Sequence, residues 1–104
     1  MFKIPVVLFT FKRKEPLLRI IERLSEVKPS KLYLISDAGR NEGEHLLVKD
    51  VRESIENRID WDCEIIKNYA DTNKGVYKSI GEGAKLVLEK EESAIFLEDD
   101  NLPE

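Results

Sequence analysis

The chain has 104 residues, and its 41% hydrophobic content is enough for one compact domain with a single core. Its 17 basic residues are interspersed among 21 acidic ones, so the net charge of -4 argues against a cationic surface for nucleic acid or anionic membrane. A single cysteine excludes an intramolecular disulfide and a thiolate metal cage. Without a signal peptide or an apolar stretch of membrane-spanning length, we expect a cytoplasmic protein with no transmembrane segment.

Apolar stretches rich in β-forming residues alternate along the chain with amphipathic stretches. The β-strands are expected at residues 5–11, 31–36, 63–69 and 93–97. The α-helices are expected at residues 15–27, 43–58 and 76–90. The first strand is a continuous apolar run, which favours a central strand that is covered on both faces.

Each helix carries apolar residues at helical spacing, and these predict the side that packs on the sheet. In chain order these faces are Leu17, Ile20, Ile21 and Leu24, then Leu47, Val51, Ile55 and Ile59, then Val76, Ile80, Ala84 and Val87. Gly81 and Gly83 each weaken the third helix by roughly 1 kcal/mol relative to alanine. Close contact between that helix and the sheet is the simplest reason for them.

Alternation of strand and helix predicts parallel pairing with right-handed crossovers and helices on both faces of the sheet. The fold class is therefore α/β, a doubly wound, Rossmann-like, three-layer α/β/α sheet. With strand order 3-2-1-4, the switch point lies between the first and fourth strands, and ligands bind beyond the carboxyl ends of the strands there.

The fourth strand ends in three consecutive carboxylates, Glu98, Asp99 and Asp100. Adjacent negative charges repel one another, and a hard divalent cation bound by carboxylate oxygens would relieve that repulsion. The alternative is a strand that ends in a solvated acidic turn, with Asn101 and Pro103 as turn residues.

Basic residues follow the first strand at positions 12–14, where positive charge opposes the dipole of the next helix. Arg13, whose planar fork suits phosphate, is the one we expect to contact an anion, whereas Lys12 and Lys14 are expected to be solvated. Asp37 ends the second strand and could accept from a ribose hydroxyl or a base imide, or form an Asx-turn leading into Gly39. Neither the dinucleotide fingerprint nor the P-loop motif is present.

Four segments in this order are similar to the nucleotide-sugar-binding half of glycosyltransferases with the A-type fold. The nearest resemblance is to the family-two enzymes and to the N-acetylglucosaminyltransferase type whose acidic motif is Glu-Asp-Asp. The segments are Ile-Pro-Val-Val-Leu-Phe-Thr-Phe-Lys-Arg at residues 4–13, Ser-Asp-Ala-Gly at 36–39, Asn-Lys-Gly at 73–75 and Phe-Leu-Glu-Asp-Asp at 96–100. Together they span essentially the whole chain.

The resemblance implies a role for each matching residue. The segment from Thr10 to Arg13 would line the nucleotide, with Arg13 contacting base or phosphate, and Asp37 would bind the uracil. Asn73 and Gly75 would lie beside the nucleotide and sugar, at the start of the third helix. Glu98 and Asp99 would lie near the ribose and the donor sugar. Asp100 would ligate Mn²⁺ or Mg²⁺ bridging the diphosphate of a UDP-sugar donor, where the metal stabilises charge on the departing diphosphate.

In this family the acceptor site and general base belong to a C-terminal half, whereas this sequence ends at Glu104. We therefore expect residues 1–104 to be one donor-binding domain that contains no catalytic residue and is not catalytically complete alone. A homodimer, or a partner supplying the acceptor half, would be compatible with this reading.

Two other functions share the predicted architecture. A receiver-like signalling module also has acids at strand ends, but those acids should be divided between the first and third strands. A nucleotidyltransferase also needs a metal, but would normally show a basic, glycine-rich loop after the first strand.

Overall fold

The computed structural model describes residues 3–98, and in this range the chain forms a four-stranded parallel sheet with three helices. The strands are β1 (Val6–Thr10), β2 (Lys31–Ser36), β3 (Glu64–Tyr69) and β4 (Ile95–Glu98). The helices are α1 (Lys14–Val27), α2 (Glu42–Arg58) and α3 (Val76–Lys90). The strand order is β3-β2-β1-β4, which confirms the predicted Rossmann-like topology. None of the helices in residues 3–98 could cross a membrane, because none combines the required length and apolar character.

Two hydrophobic clusters, one on each side of the sheet, make up the core. Side chains of alternate strand residues point to opposite faces, so β1 and β2 contribute to both clusters. Val6, Leu8, Leu32 and Leu34 pack with buried residues of α1 and α2. Val7, Phe9, Tyr33 and Ile35 pack with Val87 of α3. The three-layer arrangement is thus confirmed, with two helices on one face and one on the other.

The buried face of α2 differs from the predicted one. Val51 and Ile55 are buried as expected, but Leu47 is 51% exposed and Val48 is fully buried. Residues 46–48 are three consecutive apolar residues, so helical spacing alone could not decide which of them faces the core. The same rotation turns Glu44 inward, where its side chain is buried.

The face of α3 is also shifted from the prediction. Val87 is buried and Ile80 and Ala84 are partly buried in the core, but Val76 is 61% exposed. Close contact with the sheet accounts for Gly83, where a Cβ would lie 2.7 Å from Cδ1 of Ile35. It does not account for Gly81, because a Cβ there would meet no atom within 4 Å.

The strand register brings polar residues to one edge of the sheet. Thr10 pairs with Ser36 and Ser36 with Tyr69, while Phe9 pairs with Glu98. The carboxyl ends of all four strands therefore lie along a single edge. The reversal of strand order beside β1 makes this edge the expected place for a ligand.

Candidate functional site

A cavity of about 230 Å³ opens at this edge, between the ends of β1, β2 and β4 and the first turns of α3. Its walls combine apolar side chains, among them Phe9, Phe11 and Ile80, with polar groups from separate loops. Pockets that enclose a whole small molecule have volumes of about 300 to 1,000 Å³. A ligand as large as a nucleotide sugar would therefore extend beyond this cavity.

The cavity brings together most of the residues selected from the sequence. Its lining includes Thr10, Asp37, Asn73, Gly75 and Glu98, which come from four separate segments of the chain. Their proximity is a consequence of the parallel register, because each lies at or after the carboxyl end of a strand.

Arg13 does not share this position. It is exposed at the N-cap of α1 and does not line the cavity. Asp99 and Asp100, the remaining predicted ligand-binding residues, lie outside the described part of the chain.

Asp37 is a buried carboxylate that is bound to a distant turn of its own chain. Its Oδ1 accepts from the backbone N–H groups of Ala38 and Lys74 at 2.8 and 2.9 Å. Its Oδ2 accepts from the backbone N–H of Gly75 at 3.0 Å and from Nδ2 of Asn73 at 3.2 Å. A carboxylate has about four lone-pair sites, so these bonds fill its acceptor capacity.

These contacts change the role that Asp37 can have. Contact with a base or ribose would require one of the four bonds to break, so Asp37 in this structure shapes the wall of the cavity. The alternative Asx-turn is not formed either, because Oδ1 accepts from Ala38 and not from Gly39. The turn it holds, residues 73–75, ends at the N-cap of α3, where Gly75 has φ +90°, a conformation that favours glycine.

Glu44 forms a second buried carboxylate centre, beside the cavity. Its Oε2 accepts from Nζ of Lys12 and from Nη2 of Arg40, both at 2.7 Å. Its Oε1 accepts from Nε and the backbone N–H of Arg40, both at 2.9 Å. The bonds from Arg40, and then that from Lys12, hold the pKa of Glu44 far below its ordinary value.

The contacts of Glu44 correct the prediction for the basic residues after β1. Lys12 is not simply solvated, because it pairs with Glu44, and Lys14 forms an ion pair of 2.8 Å with Asp50. Both contacts join the start of α1 to α2. Pairing with acidic residues offsets the unfavourable effect of these cations on the dipole of α1.

The loop from β2 to α2 depends on Gly39. A Cβ at this position would lie 2.4 Å from the backbone nitrogen of His45, which excludes any side chain without a shift of the backbone. The loop therefore lies directly against the first turn of α2. This contact places Arg40 between Glu44 and the cavity that it lines.

Arg52 joins the ends of β2 and β3 from the side of α2. Its guanidinium donates to Oγ of Ser36 at 2.8 Å and to the carbonyls of Asp37 and Ala70, both at 3.2 Å. It also lies over the ring of Tyr69, 4.5 Å from the centroid, and burial lowers the pKa of Arg52. Sequence reasoning missed it, although its position next to Val51 on the buried face of α2 was a usable signal.

The metal stays a prediction, because Asp100, its predicted ligand, lies outside the described residues. Residues 3–98 contain no group of three or more histidine, cysteine, aspartate or glutamate side chains placed to hold a metal ion. Glu98 does bring one carboxylate to the cavity, and Asp99 and Asp100 follow it directly in the sequence. Carboxylate oxygens are the donors that Mg²⁺ and Mn²⁺ prefer, so the chemistry of this segment fits such an ion.

Comparisons with protein families, with curated proteins and with solved structures found no match to this chain. The assignment of an α/β fold with strand order β3-β2-β1-β4 therefore rests on the structure alone. Since such folds host many unrelated functions, only the cavity and its side chains can indicate what the protein does.

Proposed function

We propose that this protein binds a nucleoside diphosphate sugar, with a UDP-sugar as the first candidate, as the donor-binding domain of a metal-dependent glycosyltransferase. The observation that carries the proposal is the shared cavity of Thr10, Asp37, Asn73, Gly75 and Glu98. These residues belong to the segments that resemble the glycosyltransferase motifs, and they meet at the topological switch point where α/β sheets bind ligands.

The cavity offers chemically distinct surfaces for such a ligand. Phe9, Phe11 and Ile80 supply apolar area for the face of a base or sugar ring. Thr10 and Glu98, at the ends of adjacent strands, supply polar contacts for hydroxyl groups. Asp37 keeps the opposite wall in place through its four hydrogen bonds.

The acidic segment after β4 supplies the proposed metal ligands. Asp100 would hold Mn²⁺ or Mg²⁺, with Asp99 and Glu98 contributing negative charge nearby. When bound, the ion neutralises charge on the diphosphate and on the departing nucleotide. Our proposal for the chain itself is donor binding and orientation.

The observed strand order does not favour the receiver-like alternative. In receiver domains the order is 2-1-3-4-5, so the first and third strands are neighbours. Here β2 lies between β1 and β3, and β1 pairs with β4. The acids at the ends of the first and third strands, on which a phosphoacceptor site depends, would not be adjacent.

Isothermal titration with UDP, UDP-sugars and UTP, with and without Mn²⁺, tests the proposal. We expect metal-dependent binding of UDP and UDP-sugars, loss of the metal dependence in Asp100→Asn, and no change in a matched Asp62→Asn variant. Absence of binding at millimolar UDP with Mn²⁺ would refute the proposal. Preference for UTP over the diphosphate ligands would favour a nucleotidyltransferase instead.

A second pair of variants locates the binding site. Ser79 of α3 lines the cavity, whereas the neighbouring Lys78 is exposed. Ser79→Trp should fill the cavity and abolish nucleotide binding, while Lys78→Trp should leave it unchanged. Equal binding by both variants would show that the nucleotide binds elsewhere.

A further inference from the structure

Two cations converge on one buried carboxylate beside the cavity. Arg40 and Lys12 both contact Oε2 of Glu44 at 2.7 Å, and Arg40 also lines the cavity. The three side chains together carry one net positive charge. Among residues 3–98, the other ionisable side chains that line the cavity are the carboxylates of Asp37 and Glu98.

Glu44 fixes the orientation of the Arg40 guanidinium. The side chain donates through Nε to Oε1 and through Nη2 to Oε2, a two-bond contact that sets the plane of the group. The backbone N–H of Arg40 donates to the same carboxylate at 2.9 Å. Main chain and side chain are therefore held by a single partner that is itself part of α2.

This arrangement leaves Arg40 able to bind a second anion. A guanidinium has five N–H donors, and the contacts with Glu44 use two of them. The side chain is 63% exposed although Glu44 is only 10% exposed, so its remaining donors are accessible from solvent and from the cavity. A planar fork of this kind matches the oxygens of a phosphate group.

We propose that Arg40 contacts the diphosphate of the ligand in this cavity, with Glu44 as the positioning residue that holds it there. This inference rests on the proposed function, and it assigns the phosphate contact to Arg40 in place of Arg13. Lys12 contributes positive charge and secures Glu44 from the side of β1.

Titration of UDP into Arg40→Ala, in the presence of Mn²⁺, tests this assignment. Loss of a charged hydrogen bond should weaken UDP binding at least about tenfold and leave uridine binding unchanged. Arg23→Ala removes the same charge from an exposed position on α1, and we expect no effect from it. Unchanged UDP affinity in Arg40→Ala would overturn the inference, as would an equal loss of UDP and uridine binding.

Glu44→Gln distinguishes positioning from simple electrostatics. If only net charge mattered, removing a negative charge beside the site would strengthen UDP binding. If Glu44 positions Arg40, the neutral amide should weaken UDP binding and spare uridine. Tighter UDP binding by Glu44→Gln would therefore contradict the positioning role. Melting temperatures establish that each variant is folded. Arg40→Lys keeps the charge but not the planar fork, so it tests the role of the fork in UDP binding without altering the buried carboxylate.

Inorganic pyrophosphate separates failure of this inference from failure of the proposed function. If the wild-type protein binds neither UDP nor UDP-sugars, the proposed function fails. If pyrophosphate then binds the wild type but not Arg40→Ala, the assignment of an anion contact to Arg40 still stands. If pyrophosphate binds both proteins equally, that assignment fails as well.

Discussion

Replacing Asp37 by asparagine is the most direct test of how the cavity is built. The substitution keeps the size and shape of the side chain but converts one acceptor oxygen into an NH₂ donor. Each carboxylate oxygen of Asp37 accepts two hydrogen bonds, so either orientation of the amide places a donor against two donors. Two of the four bonds must therefore be lost.

The expected cost follows from burial. Asp37 is only 5% exposed, and each buried donor left without a partner costs about 1 to 3 kcal/mol. Asn73 and Lys74 are exposed, so water can satisfy part of the loss and the lower end of that range applies. We expect the free energy of unfolding to fall by about 2 kcal/mol, which corresponds to a decrease in melting temperature of about 10 °C for a domain of this size.

Urea denaturation measures this loss, with Asp60→Asn as the matched control at an exposed position between α2 and β3. Amide hydrogen exchange provides the local readout. The backbone N–H groups of Lys74 and Gly75 should be protected in the wild type and exchange faster in Asp37→Asn. Equal stability of the two variants, or rapid exchange of both amides in the wild type, would refute the account of this turn.

Three further predictions concern packing and charge. Gly83→Ala should destabilise the fold by on the order of 1 kcal/mol, because its Cβ would overlap Ile35, whereas Gly81→Ala has open space and should stabilise α3 by up to about 1 kcal/mol in urea denaturation; equal effects would contradict this packing. Arg52→Met should keep the packing of the side-chain stem but lose the bonds to the ends of β2 and β3, lowering stability by about 2 kcal/mol, and an unchanged urea midpoint would contradict it. The folded state lowers the pKa of Glu44 below its ordinary value of 4.5, so its stabilisation is present above that pH and is lost as pH falls. Unfolding free energies measured from about pH 6 to about pH 3 should therefore show the difference between wild type and Glu44→Gln becoming smaller, and a constant difference would contradict it.

The sheet could be predicted because its signals are local. Residues 5–11 form a continuous apolar run, and the polar and turn-forming residues between such runs mark the ends of each strand and helix. These signals can be read without reference to the rest of the chain. Parallel pairing then follows from the alternation of strands and helices. The position of Thr10 and Glu98 at one edge was predictable for the same reason, since each lies within one residue of the carboxyl end of a predicted strand.

The contacts that bind Asp37 to the turn before α3, and Lys12 to Glu44, could not be predicted, because they join residues that are distant in sequence. Nothing local indicates that Asp37 is bound to a turn 36 to 38 residues later. Burial of Glu44 contradicts its ordinary preference for solvent, and it is possible only because Lys12 and Arg40 both reach it. Arg40 lies only four residues before Glu44, but Lys12 is 32 residues away and no local pattern indicates that contact.

The contact between Gly83 and the sheet has a consequence for the dimensions of the cavity. Helix α3 approaches Ile35 through a residue that has no side chain, so the spacing between helix and sheet is near its lower limit at that point. One turn earlier along the same helix, Ser79 and Ile80 form a wall of the cavity. A bulkier residue at position 83 would lift the helix and widen the opening, although it touches no ligand. The width of the cavity is thus determined by a residue that does not line it.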